Sequence, residues 1–220
     1  MTWDLVQHRE AVSAFHARPI PQPCSRAVWV CEPTGPALVL GSAQSGELVD
    51  REACDRAGVE VVRRRSGGGA VLVEPGGLLW VDVLLAPGDP LWEADVGRAF
   101  GWLGATWQGA LADLGFPTTV HEGALRRSPW SDLVCFAGVG PGELIAPDGA
   151  KVVGISQRRQ RHGVRFQCAA LGRWEPSDLL ELLAVEPSAC GPARDELAAA
   201  AAPTGADLGV LLDAFLRRLP

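Results

Sequence analysis

Two β-prone runs, Val59 to Arg63 and Ala70 to Val73, are joined by Arg64, Arg65, Ser66 and the consecutive glycines Gly67, Gly68 and Gly69. A strand on either side is the wrong context for a dinucleotide fold, whose glycine turn opens a helix. The string also lacks the lysine and spacing of a P-loop. Glycines between strands instead permit backbone angles closed to other residues, and close approach of a ligand to the bare backbone. Their amides can converge into an anion nest. Side chains alternate along a strand, so Arg63 and Arg65 share one face and Arg64 takes the other. The chain is therefore expected to be sheet-centred, with this connection either a cradle for an anionic ligand or a flexible hairpin with solvated arginines.

The remaining pattern is that of an α+β chain with a mixed, largely antiparallel central sheet flanked by helices. Further strands are expected at Arg26 to Cys31, Ala37 to Leu40, Leu78 to Leu85, Leu133 to Phe136, Lys151 to Ser156 and Val164 to Leu171. A short helix is expected over Asp50 to Ala57, capped by Asp50 and stopped by Gly58. Trp92, Val96, Phe100, Leu103, Trp107, Leu111 and Leu114 recur at steps of three and four and predict one long helix from Pro90 to Leu114. Residues 1–25 are expected as a helical lead-in, 26–175 as the sheet-bearing domain, and 176–220 as a C-terminal helical extension packed on the same domain. In that extension the helices are expected at Pro176 to Ala184 and Asp207 to Leu216, with an alanine-rich stretch between them.

Charge narrows the function. The 220 residues carry a net charge of -6, the wrong sign for a general nucleic-acid binder, which gains most of its affinity by neutralising phosphates. Arg158, Arg159, Arg161 and Arg165 form a basic cluster, but no aromatic stacking platform accompanies them. No apolar run is long enough to span a bilayer and no apolar signal region opens the chain, so neither a nucleic-acid nor a membrane partner is expected and a cytoplasmic location is. There the six cysteines are expected as thiols, and their spacings match no zinc site.

Lys151 is the only lysine in a chain that otherwise uses arginine for its cations. It lies in Asp148-Gly149-Ala150-Lys151-Val152-Val153-Gly154, after a turn and at the head of a strand. An ammonium is a compact, mobile point charge and a guanidinium a planar fork, so the two are not interchangeable at a reacting centre.

The string Arg64 to Val71, followed some eighty residues later by the Lys151 strand, resembles the lipoate–protein ligase family. The likeness covers roughly residues 26 to 175. It implies the catalytic-domain fold of the biotin/lipoate protein ligases. It also implies an enzyme that activates lipoate or octanoate with ATP and Mg2+, then transfers the acyl group to a lysine of a lipoyl domain. Such domains belong to 2-oxoacid dehydrogenase or glycine-cleavage proteins. By the same resemblance, Arg64, Arg65, Ser66, Gly67, Gly68, Gly69 and Ala70 cradle the acyl-adenylate, and Lys151 bridges carboxylate and phosphate. Two features differ from many ligases. Leu72, Val73 and Glu74 follow the loop where a histidine is common, and Pro141-Gly142-Glu143 replaces an Asn-Asp pair, leaving Glu143 as the candidate metal ligand.

A second branch of the superfamily, the cysteine-dependent octanoyltransferases, takes the acyl group from an acyl carrier protein onto a thiolate. Cys135-Phe136, then Glu143, then Lys151 resembles that arrangement, with Cys135 as nucleophile beside a stabilising cation. A non-catalytic acyl- or nucleotide-binding relative is the reading of another class.

Overall fold

The strand Leu78–Leu85 is buried along its whole length, and the architecture is built around it. The computed structural model describes residues 2–220. In chain order it runs β1 (Asp4–Glu10), α1 (Val12–Ala17), β2 (Ala27–Pro33), β3 (Ala37–Leu40), α2 (Arg51–Ala57), β4 (Glu60–Arg63), β5 (Val71–Val73) and β6 (Leu78–Leu85). It continues with α3 (Gly101–Asp113), β7 (Thr119–Val120), β8 (Leu144–Ile145), β9 (Lys151–Gln160), β10 (Gly163–Leu171), α4 (Pro176–Leu180), α5 (Pro187–Ala200) and α6 (Leu208–Arg218).

The main sheet has the order β1-β2-β6-β10-β9-β8-β7 and is antiparallel except for the β1–β2 pair. A small sheet, β4-β3-β5, lies against it. This is the mixed, largely antiparallel sheet flanked by helices that the sequence implies.

Alternation along the main strands sorts the core into layers. Val81, Val83, Phe166, Cys168 and Val153 face α3 and α6, where Trp107 stacks on Phe215. Full burial of Phe166 and of Phe215 contributes roughly 1.5–3 kcal/mol each. The opposite face, including Trp29, Trp80 and Leu84, meets Val39, Val62 and Val73 of the small sheet. Leucines of α4 and α5 cover the outer side of that sheet.

One polar pair sits between the sheets. Asp82 is fully buried and accepts from Arg165 Nε (2.7 Å) and Trp80 Nε1 (2.9 Å). Arg165 also donates to the carbonyls of Phe15 (2.9 Å) and Arg18 (3.1 Å), which pins α1 onto the inner face. Arg165 is thus a core residue. Arg159 likewise turns to the Glu93 and Ala94 carbonyls and lies over the Trp92 ring. Two members of the basic cluster, Arg159 and Arg165, are thus taken up in local packing.

Four segments differ from expectation. Residues 4–10 are not helical: they form β1, an edge strand paired in parallel with β2. The strand is largely exposed, so its side chains carry no burial period to betray it. The long helix begins only at Gly101, because Asp95 caps the Arg98 amide (2.9 Å) and Asp89 is tied to Arg26. Val134 makes a single bridge to Ala70, and Cys135 to Ala137 form a 3-10 turn in place of a strand. The alanine-rich stretch is itself helix α5, in keeping with alanine's high helix propensity. No helix among the described residues is long and apolar enough to cross a membrane.

Candidate functional site

The glycine loop leaves β4 with its arginines alternating as expected. Arg63 reaches back to the Gly41 carbonyl (3.0 Å) and to that of Gln44. Arg65 is exposed. Arg64 is buried and folds beneath the loop, donating to the carbonyls of Gly67 (2.8 Å) and Gly69 (2.8 Å). With those carbonyls drawn inward, the amides of Gly67, Gly68 and Gly69 have no acceptor among the described residues. Gly68 has φ +96, which an L side chain rarely adopts.

Gly69 is required for a different reason. A Cβ there would lie 2.5 Å from the backbone of Val134. The Ala70 amide donates to the Leu133 carbonyl (2.7 Å), and the Cys135 amide to the Ala70 carbonyl (3.0 Å). The loop is therefore laced to the turn that carries Cys135. Gly69→Ala is expected to force the two segments apart and cost about 1–3 kcal/mol, the usual range for overpacking. A urea titration reads this as a lower midpoint with an unchanged slope.

Lys151 is 1% exposed. Its Nζ pairs with Glu143 Oε2 (2.7 Å) and donates to the carbonyls of Gly138 (3.0 Å) and Cys135 (3.2 Å), so its three protons are all engaged. It also stands 4.9 Å from the Phe136 ring centroid. Glu143 is equally committed: Oε2 accepts from the Gly140 amide (2.6 Å) and Oε1 from the Ile155 amide (3.0 Å). The ion pair thus ties the Cys135 turn and the Gly138–Gly140 segment that follows it to β9. Both carboxylate oxygens of Glu143 are thus engaged within the protein, Oε2 twice and Oε1 once. Among the described residues, no group of three or more His, Cys, Asp or Glu side chains is placed to hold one. The residues present do not fit a protein-held Mg2+ site.

Between the two sheets lies an apolar cavity, walled by Val39, Val71, Val73, Leu78, Trp80 and Ala169. Cys135 and Arg64 also line it. A Cβ built on Gly68 would be 3.7 Å from Cys135 Sγ and 2.9 Å from an Arg64 nitrogen, so thiol, guanidinium and glycine backbone meet at one point. Cys135 is half-buried. Cys168 lines the same cavity but is wholly buried, and burial pushes its thiol far up, as it does for Cys31. A thiolate is the reactive form, so Cys168 and Cys31 are packing residues, whereas Cys135 is a half-buried thiol on the cavity wall.

The structure thus brings together Arg64, Ser66, Gly67 to Gly69, Cys135, Glu143 and Lys151, while Arg65 stands at the rim and Ala70 anchors the loop. Residues not singled out by sequence join them. Ser156 Oγ lies 3.3 Å from Ser66 Oγ, bridging the loop to β9. Gln44 receives the Gly41 amide (2.9 Å) and donates to the Asp132 and Leu133 carbonyls. Arg158 has no acid partner among the described residues, and burial together with Arg65 and Arg165 holds its guanidinium below its ordinary value. Gly154, Ser156 and Arg158 share one face of β9, so period-two alternation was the signal that could have found the last two.

The sequence model of the lipoyl protein ligase A/B catalytic domain matches residues 12–195. No curated protein sequence matches the chain significantly. Among solved structures, the chain is similar to a bipartite lipoate protein ligase from Thermoplasma acidophilum, described with its E2 lipoyl domain. The TM-score is 0.77 at 16% identity, covering 99% of this chain and 82% of that one. A second Thermoplasma acidophilum structure, with lipoic acid bound, gives 0.70 at 16% identity over 99% and 84%. A lipoate-protein ligase A bound with ATP gives 0.67 at 16% identity over 99% and 84%. At such identities these likenesses establish the fold.

Proposed function

Because the chain belongs to the lipoyl protein ligase A/B catalytic-domain family, we propose that it carries an octanoyl or lipoyl group as a thioester on Cys135 and passes it to a lysine of a lipoyl domain. The observation that carries this reading is the Cys135 thiol at the wall of an apolar cavity, against the Gly68 backbone and Arg64. An acyl chain enters the cavity and its carbonyl carbon is left at the sulfur. The unpartnered amides of Gly67 to Gly69 are donors for the carbonyl oxygen as it becomes an oxyanion, the step at which fixed donors contribute most.

The chemistry balances without an external energy source. The Cys135 thiolate attacks the thioester of an acyl carrier protein, the carrier's thiol leaves, and the acyl group is held on Cys135. The neutral amine of the acceptor lysine then attacks that thioester. An amide forms, the C–S bond breaks, and the amine's proton returns to the sulfur. Lys151 and Glu143 act here as positioning residues, holding the turn that presents Cys135. The acceptors are lipoyl domains of 2-oxoacid dehydrogenase or glycine-cleavage proteins.

A second reading is ATP-dependent activation of the free acid. Its support is that the same amides form an anion nest, and that similar structures hold lipoic acid or ATP. In it, Lys151 would exchange one of its three partners to meet the carboxylate and phosphate.

Intact-mass spectrometry of a lipoyl domain separates the two. With octanoyl-acyl carrier protein and no ATP, the domain is expected to gain an octanoyl mass. Gain only with free lipoate or octanoate plus Mg-ATP would overturn the thioester reading in favour of the ligase.

A further inference from the structure

Strand β3 ends against the glycine loop. A Cβ at Gly41 would lie 1.8 Å from the Gly68 carbonyl oxygen, so only a bare backbone can pass there. The Ser42 amide donates to the Ser66 carbonyl (3.0 Å), and a tight turn follows, closed by the Gln44 amide on the Gly41 carbonyl (3.2 Å). Gln44 is 9% exposed. Its Oε1 accepts from the Gly41 amide (2.9 Å), and its Nε2 donates to the carbonyls of Asp132 (2.9 Å) and Leu133 (3.0 Å). A side-chain amide has two N–H donors, and both are used. The Leu133 carbonyl also accepts from the Ala70 amide (2.7 Å) at the end of the loop, and the Ala70 carbonyl accepts from the Cys135 amide (3.0 Å). One side chain therefore joins the exit of β3, the glycine loop and the turn that carries Cys135. It lines no wall of the cavity itself.

Resting on the acyl-carrying reading of Cys135, we propose that Gln44 is a positioning residue for acyl transfer. It holds the Cys135 turn at the separation from the glycine loop at which the unpartnered amides of Gly67 to Gly69 face the carbonyl of the acyl group on sulfur. The constraint is double. Oε1 fixes the side-chain amide against Gly41, whose backbone touches Gly68. Nε2 carries that placement to the Leu133 carbonyl, which the loop shares through Ala70. Cys135 lies just beyond Leu133 in the chain, so a shift there moves the sulfur relative to the loop amides. Alignment of reacting groups matters steeply: a misplacement of about 1 Å can cost about 10²-fold in rate. Packing alone does not call for an amide at this position. An apolar side chain of equal length fills the same space and leaves the Gly41 amide and the Asp132 carbonyl without this partner, so the two segments lose the bonds that set their spacing.

The test follows octanoylation of Cys135 by intact mass in the full-length wild type, Gln44→Met and Gln44→Asn, over a range of octanoyl-acyl carrier protein concentrations. The rate of alkylation by iodoacetamide gives a second reading of the same thiol. Gln44→Met keeps the length and loses the amide; Gln44→Asn keeps the amide one methylene short, so it reaches one side of the junction and not both. Each variant is expected to lower the maximal rate about 10- to 100-fold. The half-saturating carrier concentration and the alkylation rate are expected to stay within about twofold of wild type, the split that separates lost alignment from lost binding. A turn that is merely loosened would expose the thiol, raising alkylation and weakening carrier binding together. That pattern, or a wild-type maximal rate in a folded variant, overturns the proposal while leaving Cys135 as the acyl carrier. Loss of the fold in both variants makes Gln44 a structural residue and overturns it as well; if only one folds, that one decides. If the wild type forms no octanoyl-Cys135, the acyl-carrying reading fails and the role of Gln44 with it.

Discussion

Lys151→Met is expected to lose about 3–5 kcal/mol of stability and nearly all acyl transfer, although methionine fills much the same space. The reason is Glu143. Removing one member of a buried ion pair leaves the other charge uncompensated, and losses of about that size are typical. The pair here is 2.7 Å apart, and both partners are buried. Two carbonyls, Cys135 and Gly138, lose their donor as well.

The same change loosens the turn that presents the thiol, so transfer falls even in molecules that remain folded. Glu143→Gln in the same chain removes the orphan charge while keeping an acceptor for the Gly140 or Ile155 amide. The double variant is therefore expected to recover most of the lost stability and little of the activity. Chemical denaturation of the four forms, read as a double-mutant cycle, checks this. Lys151→Arg keeps the charge but brings a planar fork to a pocket arranged around a point. It is expected to stay inactive; near-wild-type turnover in that variant would contradict the positioning role.

Cys135→Ala is expected to act in the opposite sense, lowering transfer by about 10³-fold or more while changing stability by less than about 1 kcal/mol. A nucleophile's contribution disappears with its atom, and losses of at least that order follow when the attacking group of a covalent mechanism is removed. The packing cost is small because the residue is half-buried, and a small cavity beside an existing one removes few contacts. Cys168→Ala supplies the contrast. That thiol is fully buried against the α3–α6 layer, so its loss should cost more stability and leave the transfer step intact. Thermal melts and transfer rates on the two variants separate a reacting sulfur from a packing one.

Local signals in the sequence were dependable where the physics is local. Asp50 caps α2 through the Ala53 amide at 2.9 Å, and Gly58 ends it at φ +64. The alternation expected of Arg63, Arg64 and Arg65 persists just past the end of β4 at Arg63, and Lys151 opens β9 after its turn. What spacing could not convey was long-range pairing of side chains. Glu143 reads as a metal ligand when taken with its neighbours in sequence; in space its carboxylate closes on Lys151 and two amides. Arg165 reads as part of a basic run and is a buried partner of Asp82, 83 residues away. β1 was missed because an exposed edge strand has no hydrophobic period.

The most direct test of the account is the mass of the protein itself after brief incubation with octanoyl-acyl carrier protein, without ATP or acceptor. The account predicts one added octanoyl group, mapped to Cys135 by peptide analysis, released by neutral hydroxylamine and absent in Cys135→Ala. An unmodified chain that nonetheless transfers octanoate to a lipoyl domain when Mg-ATP is supplied would contradict it.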